Sequence, residues 1–217
     1  MQYLICLSSL VFTLLLIRAT LEHSPDRFRY KLFACAHFVV LGLGAWLFAH
    51  PAGAEAGLLI GLVFSFGGDA CLGLRHKRKI YFPLGMLFFI LAQFAYLSVF
   101  SFRYFNPVVF GVAMFIQILL IAALMMKFGL DLPMDVAPVV LIYDFALVGV
   151  FTLALGQYLA AASGINLLRF WGASAFMLSD SILFTVYYIK PKRKVQIILY
   201  LLFYHLAQTL FALSLWH

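Results

Sequence analysis

The sequence predicts an all-α integral membrane protein of eight transmembrane helices with almost no soluble mass. Three observations predict it: the scarcity of charge, the length of the apolar runs, and the placing of prolines and basic residues between those runs. The 217 residues are 65% hydrophobic and 11% charged, with a mean hydropathy of +1.05. A soluble domain carries roughly a quarter charged residues. So few charges cannot cover a water-facing surface, and most of the surface must face lipid. A spanning helix needs about 20 apolar residues. Eight of them with short loops use nearly the whole chain, which leaves a single transmembrane domain over residues 1–217 and no extramembrane catalytic domain.

The apolar runs predict helices at Met1–Arg18, Leu32–His50, Ala54–Leu74, Ile80–Phe100, Asn106–Met126, Met134–Gln157, Ile165–Ile189 and Val195–Trp216. In hydrocarbon every backbone group must bond internally, so an open run of this length is helix rather than strand. Pro25, Pro51, Pro107, Pro133 and Pro191 fall where loops are needed. Pro83 and Pro138 fall just inside a helix start, where the missing N–H does little harm. The first run has no Lys or Arg before Arg18 and no small-x-small cleavage site, so it reads as an uncleaved first helix.

Charge gives the orientation. Of fifteen Lys and Arg, all but Arg103 and Arg169 belong to the loops after the first, third, fifth and seventh helices. These are Arg18, Arg27, Arg29 and Lys31; Arg75, Lys77, Arg78 and Lys79; Lys127; and Lys190, Lys192, Arg193 and Lys194. The positive-inside rule puts that side in the cytoplasm, with both termini non-cytoplasmic, in an inner (cytoplasmic) membrane. The net charge of +7 needs no nucleic-acid partner, because contact with anionic lipid headgroups at these loops accounts for it.

An internal repeat is visible. Gly68-Asp69-Ala70-Cys71-Leu72 matches Ser179-Asp180-Ser181-Ile182-Leu183, and a basic turn follows each. Leu87-Phe88-Phe89-Ile90-Leu91-Ala92-Gln93 then matches Leu202-Phe203-Tyr204-His205-Leu206-Ala207-Gln208 at the same spacing from the turn. The copies lie four helices apart and share an orientation. The expectation is a parallel 4+4 repeat about an axis along the membrane normal, with chance matching of Leu/Phe/Ala-rich helices as the rival.

The polar residues inside the spans carry the functional reading. A charged residue near the bilayer centre costs about 2.5–3.5 kcal/mol on the lenient insertion scale, so such groups face the bundle interior or a watery cavity. At 1.5 Å per residue, Asp69 lies about 9 Å inside Arg75, Asp180 about 15 Å inside Lys190, and Asp144 about 14 Å inside Asp135. His205 lies at similar depth, with Gln93 and Gln208 deeper, so one polar layer is drawn from at least five helices. Plainer readings stay open beside the catalytic one. Asp69 pairs with Arg75 or Arg78 at a helix end; Asp180 is an interhelical hydrogen-bond group between Ser179 and Ser181; Asp144 has only its depth to recommend it. Gln93 and Gln208 serve as packing glue, and His205 as a satisfied core residue. The other histidines carry no assignment. Cys6, Cys35 and Cys71 sit in apolar stretches at no metal-ligand spacing and read as small hydrophobes. No paired His/Cys spacing, serine nucleophile elbow or phosphate loop is present, and neither metal nor cofactor is expected.

The runs Leu62-Val63-Phe64-Ser65-Phe66-Gly67-Gly68-Asp69 and Gly172-Ala173-Ser174-Ala175-Phe176-Met177-Leu178-Ser179-Asp180 resemble the paired Gly-Asp and Ser-Asp signatures of the YhhN family. Pro83-Leu84-Gly85-Met86 at the start of the fourth helix and Tyr204-x-x-Ala207-Gln208 in the last resemble it too, and the likeness covers most of the chain. One departure matters, at Gln93. Many relatives have His at the position of Gln93, which puts a proton-relay role there in doubt, and Asp144 is not part of the pattern. The family includes the eukaryotic lysoplasmalogenases. The resemblance therefore implies hydrolysis of the vinyl-ether bond of a lysoplasmalogen, giving a fatty aldehyde and a glycerophospho-headgroup. The substrate would be a membrane lysoplasmalogen or related lyso-lipid.

The chemistry suits the residues. Vinyl-ether hydrolysis begins with protonation of carbon, passes through an oxocarbenium ion and needs one carboxylic acid and one carboxylate, as glycoside cleavage does. Asp69 and Asp180 are the expected catalytic pair, with Asp180, the deeper, as acid and Asp69 as carboxylate. Tyr204, His205, Gln208, Gln93 and Asp144 are the expected substrate-binding residues. A proton-coupled small-solute transporter is the alternative, since parallel repeats and midplane carboxylates also mark transporters. A non-catalytic lipid-binding protein is a third reading.

Overall fold

A computed structural model describes residues 2–128, 137–188 and 194–216. Eight α-helices follow in order: α1 (Gln2–Leu21), α2 (Arg27–Phe48), α3 (Ala56–Gly73), α4 (Tyr81–Leu97), α5 (Pro107–Phe128), α6 (Ala137–Ala160), α7 (Gly164–Tyr188) and α8 (Lys194–Leu213). Short 3-10 turns at Gly53–Glu55 and Phe102–Tyr104 precede α3 and α5, and no strand occurs among the described residues. Pro133, Asp135, Lys190, Pro191, Lys192 and Arg193 lie outside the described residues.

Local chemistry sets the ends. After α1 and α2 the chain turns through His23 (φ 53) and His50 (φ 52), left-handed conformations that end a helix, each shortly before a proline. Pro107 opens α5, and the Asn106 side chain accepts from the N–H groups of Val108 and Val109 at 3.0 and 3.2 Å. That satisfies donors with no partner inside the helix.

Seven of the eight helices are long and apolar enough to cross a membrane, which makes a multi-pass membrane protein. The exception is α4 with 17 residues. It is only about 26 Å long at 1.5 Å per residue, against a hydrocarbon core of about 30 Å. It nevertheless runs antiparallel along the whole of α3. A Cβ on Gly57, at the start of α3, would sit 2.5 Å from the Ala95 carbonyl near the end of α4. A Cβ on Gly61 would meet the Tyr96 ring at 2.2 Å, and at the other end Gly85 lies against Gly68 and Leu72. Gly57 and Gly61 form a small-x-x-x-small seam, which lets two helices approach closely where lipid offers no hydrophobic drive for association.

Extensive packing joins α3 to α4 and α7 to α8. Helix α2 packs on α3 and α8, α6 packs on α7 and α4, α1 packs on α2 and α8, and α5 packs on α6. Phe38, Leu41, Leu58, Leu62, Leu147, Phe176 and Phe211 meet in one buried core, while large apolar side chains such as Leu4, Val40, Phe115 and Leu141 point outward. Helix α5 is peripheral: Gln117 is its only buried side chain among the described residues.

Two expectations about charge change here. Lys31 is not a loop residue but lies in the second turn of α2, largely buried. Arg169, counted on the sparsely charged side, is not a free boundary charge. It lies inside α7, 6% exposed, ion-paired with Glu55 before α3 and donating to Ser214 Oγ at 3.4 Å. A buried guanidinium is tolerated only with such a partner, and this one ties the ends of α3, α7 and α8 together opposite the basic loops.

Candidate active site at the basic end of the bundle

A cavity of about 210 Å³ opens near the end of the bundle that carries Arg27, Lys31 and Arg75. Its polar floor holds Asp69, Tyr143, Asp144, Asp180, Tyr204 and His205, from α3, α6, α7 and α8. At 1.5 Å per residue, Asp69 lies about 6 Å from the end of α3, Asp180 about 12 Å from the end of α7, and Tyr143 about 9 Å from the start of α6. These helices enter from the same end, so shared depth brings the groups together. The apolar wall is formed by side chains such as Phe82, Met86 and Phe89 of α4, Ile121 of α5 and Leu183 of α7.

The two aspartates are held differently. Asp69 is 5% exposed and surrounded by donors. Lys31 Nζ lies 2.8 Å from Oδ1, Cys35 Sγ donates to Oδ2 across 3.1 Å, and the Tyr204 hydroxyl also donates to Oδ2. Lys31 and Cys35 are one helical turn apart on α2, so both reach the same carboxylate. Tyr204 is fixed in turn by edge-on contacts with Phe38, Phe89 and Phe176, at centroid distances of 6.3, 6.2 and 5.7 Å. Such contacts orient the ring and leave its hydroxyl one direction to point. Asp180 accepts a hydrogen bond from the Tyr143 hydroxyl and takes part in no ion pair among the described residues.

The other predicted residues divide. Asp144 lines the cavity, and its Oδ2 has no hydrogen-bond partner among the described residues. His205 lines it as well; its ring lies 5.3 Å from that of Tyr204, and Nδ1 has no partner among the described residues. Gln208 is not among the lining residues: its Oε1 accepts from Tyr96 at 2.6 Å, and that hydroxyl also meets Ser65 at 3.2 Å. Gln93 is fully buried and likewise lines no part of the cavity. The helix-end pairing of Asp69 with Arg75 or Arg78 is replaced by the pair with Lys31. Arg75 donates to the Leu72 carbonyl at 3.4 Å instead. Among the described residues no group of three or more His, Cys, Asp or Glu is placed to hold a metal ion.

The paired Asp motifs thus open on one cavity, and the comparison with known families decides what kind of chain carries them. The YhhN family pattern matches residues 6–215. The chain belongs to the YhhN family. The match covers all eight helices apart from a few terminal residues, and with them both Asp motifs. No curated protein and no solved structure matches the chain.

The YhhN motifs led to Asp69 and Asp180, but sequence reasoning missed Lys31, Cys35, Tyr143 and Gln117. Gln117 lines the cavity and donates to Ser181 Oγ at 3.1 Å, which ties α5 to α7 beside Asp180. One signal for Lys31 was available. A carboxylate inside a span calls for a partner, and Lys31 directly abuts the apolar run beginning at Leu32. Nothing local marks Tyr143 except its neighbour Asp144.

Proposed function

We propose that this protein is a membrane-embedded lipid hydrolase that cleaves the vinyl-ether bond of lysoplasmalogens or related lyso-lipids. The observation that carries the reading is the pair of differently partnered aspartates on one cavity in a YhhN family chain. Asp180, as carboxylic acid, protonates the outer vinyl carbon. The ether oxygen stabilises the resulting oxocarbenium ion, and the Asp69 carboxylate supports its positive charge. Water adds to the cationic carbon and gives up a proton to Asp180, restoring the acid. The hemiacetal then collapses to a fatty aldehyde and a glycerophospho-alcohol, so one water is consumed and no electrons change hands.

The cavity suits one end of such a substrate. Arg27 and Arg75 line it, and guanidinium groups are well shaped for phosphate. A pocket that encloses a whole drug-sized ligand has about 300–1,000 Å³. The present 210 Å³ takes the glycerophosphate end and the vinyl ether, while the rest of the chain lies along the apolar side between α4 and α5. Tyr204 and His205 then border the vinyl ether, with Asp144 near the attacking water. Gln93 and Gln208 act from behind, by packing. The reading includes eight crossings, an inner-membrane location, both termini outside and the basic end in the cytoplasm among anionic headgroups. It includes the 4+4 repeat too. In support, α2 supplies Lys31 to Asp69 and α6, four helices on, supplies Tyr143 to Asp180; α2 packs on α3 and α8 as α6 packs on α7 and α4.

The test is a panel of lyso-lipids with vinyl-ether, alkyl-ether and ester linkages, given to detergent-solubilised protein. Aldehyde from the vinyl-ether member alone is the expected result. No product from any member, with solute uptake by sealed vesicles, would establish the transporter instead.

A further inference from the structure

We infer that Lys31 is the positioning residue that gives the two aspartates unlike roles: it holds Asp69 as the anion and so leaves Asp180 as the proton donor. The inference rests on the proposed hydrolysis and deepens it. Lysine near a helix end ordinarily extends its amine toward the polar boundary. Lys31 turns inward instead, its side chain 16% exposed and its amine 2.8 Å from Asp69 Oδ1. An ammonium only donates hydrogen bonds, so it offers nothing to a proton on that oxygen. The other oxygen already accepts from Cys35 and Tyr204. Three donors converge on Asp69, and one of them is an ammonium that can only donate, an arrangement that suits a carboxylate better than a carboxylic acid.

Asp180 faces a different set. Tyr143 reaches it from α6, and Asp144 and Asp69 line the same cavity from α6 and α3. Arg27, Arg75, Tyr200, Tyr204 and His205 complete the titratable lining from α2, the turn after α3, and α8. Two carboxylates on one small cavity are most readily accommodated when one carries a proton. Lys31 decides which, because it is bound to Asp69 and lies in no ion pair with Asp180. Lys31 thereby acts through Asp69 and need not touch the lipid.

A mutant cycle tests this. Wild type, Lys31→Met, Lys31→Arg, Asp69→Asn and the double variant Lys31→Met/Asp69→Asn are purified, and aldehyde release and thermal unfolding are measured. General acid–base groups contribute about 10²–10⁴ in rate. Lys31→Met should therefore lower kcat about 100-fold while KM stays within about threefold. Lys31→Arg should keep kcat within about tenfold of wild type. On the Asp69→Asn background, Lys31→Met should lower the residual rate no further and should recover thermal stability lost in the single variant. That last comparison, with Lys31→Arg, decides the matter even where Lys31→Met alone does not fold. A rise in KM at unchanged kcat, or an additive cycle, overturns the inference and makes Lys31 a headgroup contact. A wild type that releases no aldehyde overturns the hydrolase reading, and the role of Lys31 with it.

Discussion

Replacing either aspartate by asparagine should stop the chemistry, but only one replacement should disturb the fold. In Asp180→Asn, the new amide oxygen can still accept from Tyr143, and no cation among the described residues loses a partner. The structural cost is a weakened hydrogen bond, within about 1 kcal/mol. The kinetic cost is the loss of the acid, about 10²–10⁴ in rate, or about 2.7–5.4 kcal/mol at 1.36 kcal/mol per tenfold. In Asp69→Asn the amide still accepts from Tyr204 or Lys31, but the Lys31 ammonium loses its counter-charge in a site where the two side chains are 16% and 7% exposed. Removing one partner of a buried pair costs about 3–5 kcal/mol. The partial exposure of Lys31 toward the cavity places the expectation at the lower end. Thermal unfolding in one detergent and aldehyde release at a temperature where both variants are folded read the two costs separately. The expected pattern is an inactive Asp180→Asn that melts near wild type, and an inactive Asp69→Asn that melts several degrees lower. Equal melting of the two would refute the asymmetric partnering. Retention of most activity by either would refute the carboxylate-pair mechanism.

Tyr143→Phe should leave folding intact and lower kcat about two- to tenfold, because the hydroxyl that aims Asp180 is worth about 0.5–1.5 kcal/mol; single-turnover aldehyde release measures it. Glu55→Gln should cost about 3–5 kcal/mol of stability by leaving Arg169 buried without its counter-charge. Its kcat below the lowered melting temperature should match wild type, since the pair lies at the far end from the cavity. Chain length should matter little: lyso-lipids with roughly twelve to eighteen carbons should share kcat/KM within a few-fold, because a cavity below the about 300 Å³ of an enclosing pocket leaves the chain in lipid. A steep optimum in competition assays would mean that the chain is enclosed after all.

Hydropathy and breakers made the helices legible, because lipid demands long apolar runs and internal backbone bonds. Predicted and observed ends differ by a few residues, most at the start of α2, expected at Leu32 and found at Arg27. That difference has a structural cause: the first turns of α2 turn a basic residue inward to Asp69, so charge there does not mark a loop. Arg169 misled in the same way, counted as an outer charge although Glu55, more than a hundred residues earlier, buries it. Asp69 and Asp180 were legible because a carboxylate inside a span needs a reason. Their partners were not, because Lys31, Tyr143 and Tyr204 lie 37 or more residues from the carboxylates they meet, and periodicity carries no information about such pairs. Gln93 and Gln208 lie deeper than the aspartates along α4 and α8 and do not reach the cavity, since a polar position in a span gives neither its face nor its neighbours.

The asymmetry of the two aspartates bears on why the proposed chemistry would belong inside the bundle. Protonating a vinyl carbon needs an acid beside the double bond and an anion to receive the cation that forms. In water neither is concentrated at one bond, and solvent screens their charges. In a cavity set in lipid the same charges act at lower dielectric and need no reorganisation as the cation develops. The cost is that two identical side chains would compete for one proton. The bundle answers with unequal neighbours: α2 gives Asp69 an ammonium and a thiol, α8 adds a phenol, and α6 gives Asp180 a single phenol. In the proposed mechanism the motif supplies two equal acids, and the helices packed around them keep one as the anion. Exchanging the neighbours should therefore weaken the reaction even with both aspartates in place. Lys31→Met/Tyr143→Lys carries the cation to Asp180. It should lose more than the Tyr143→Phe variant, and a rate equal to that variant would show that the charge on Lys31 has no part in the division.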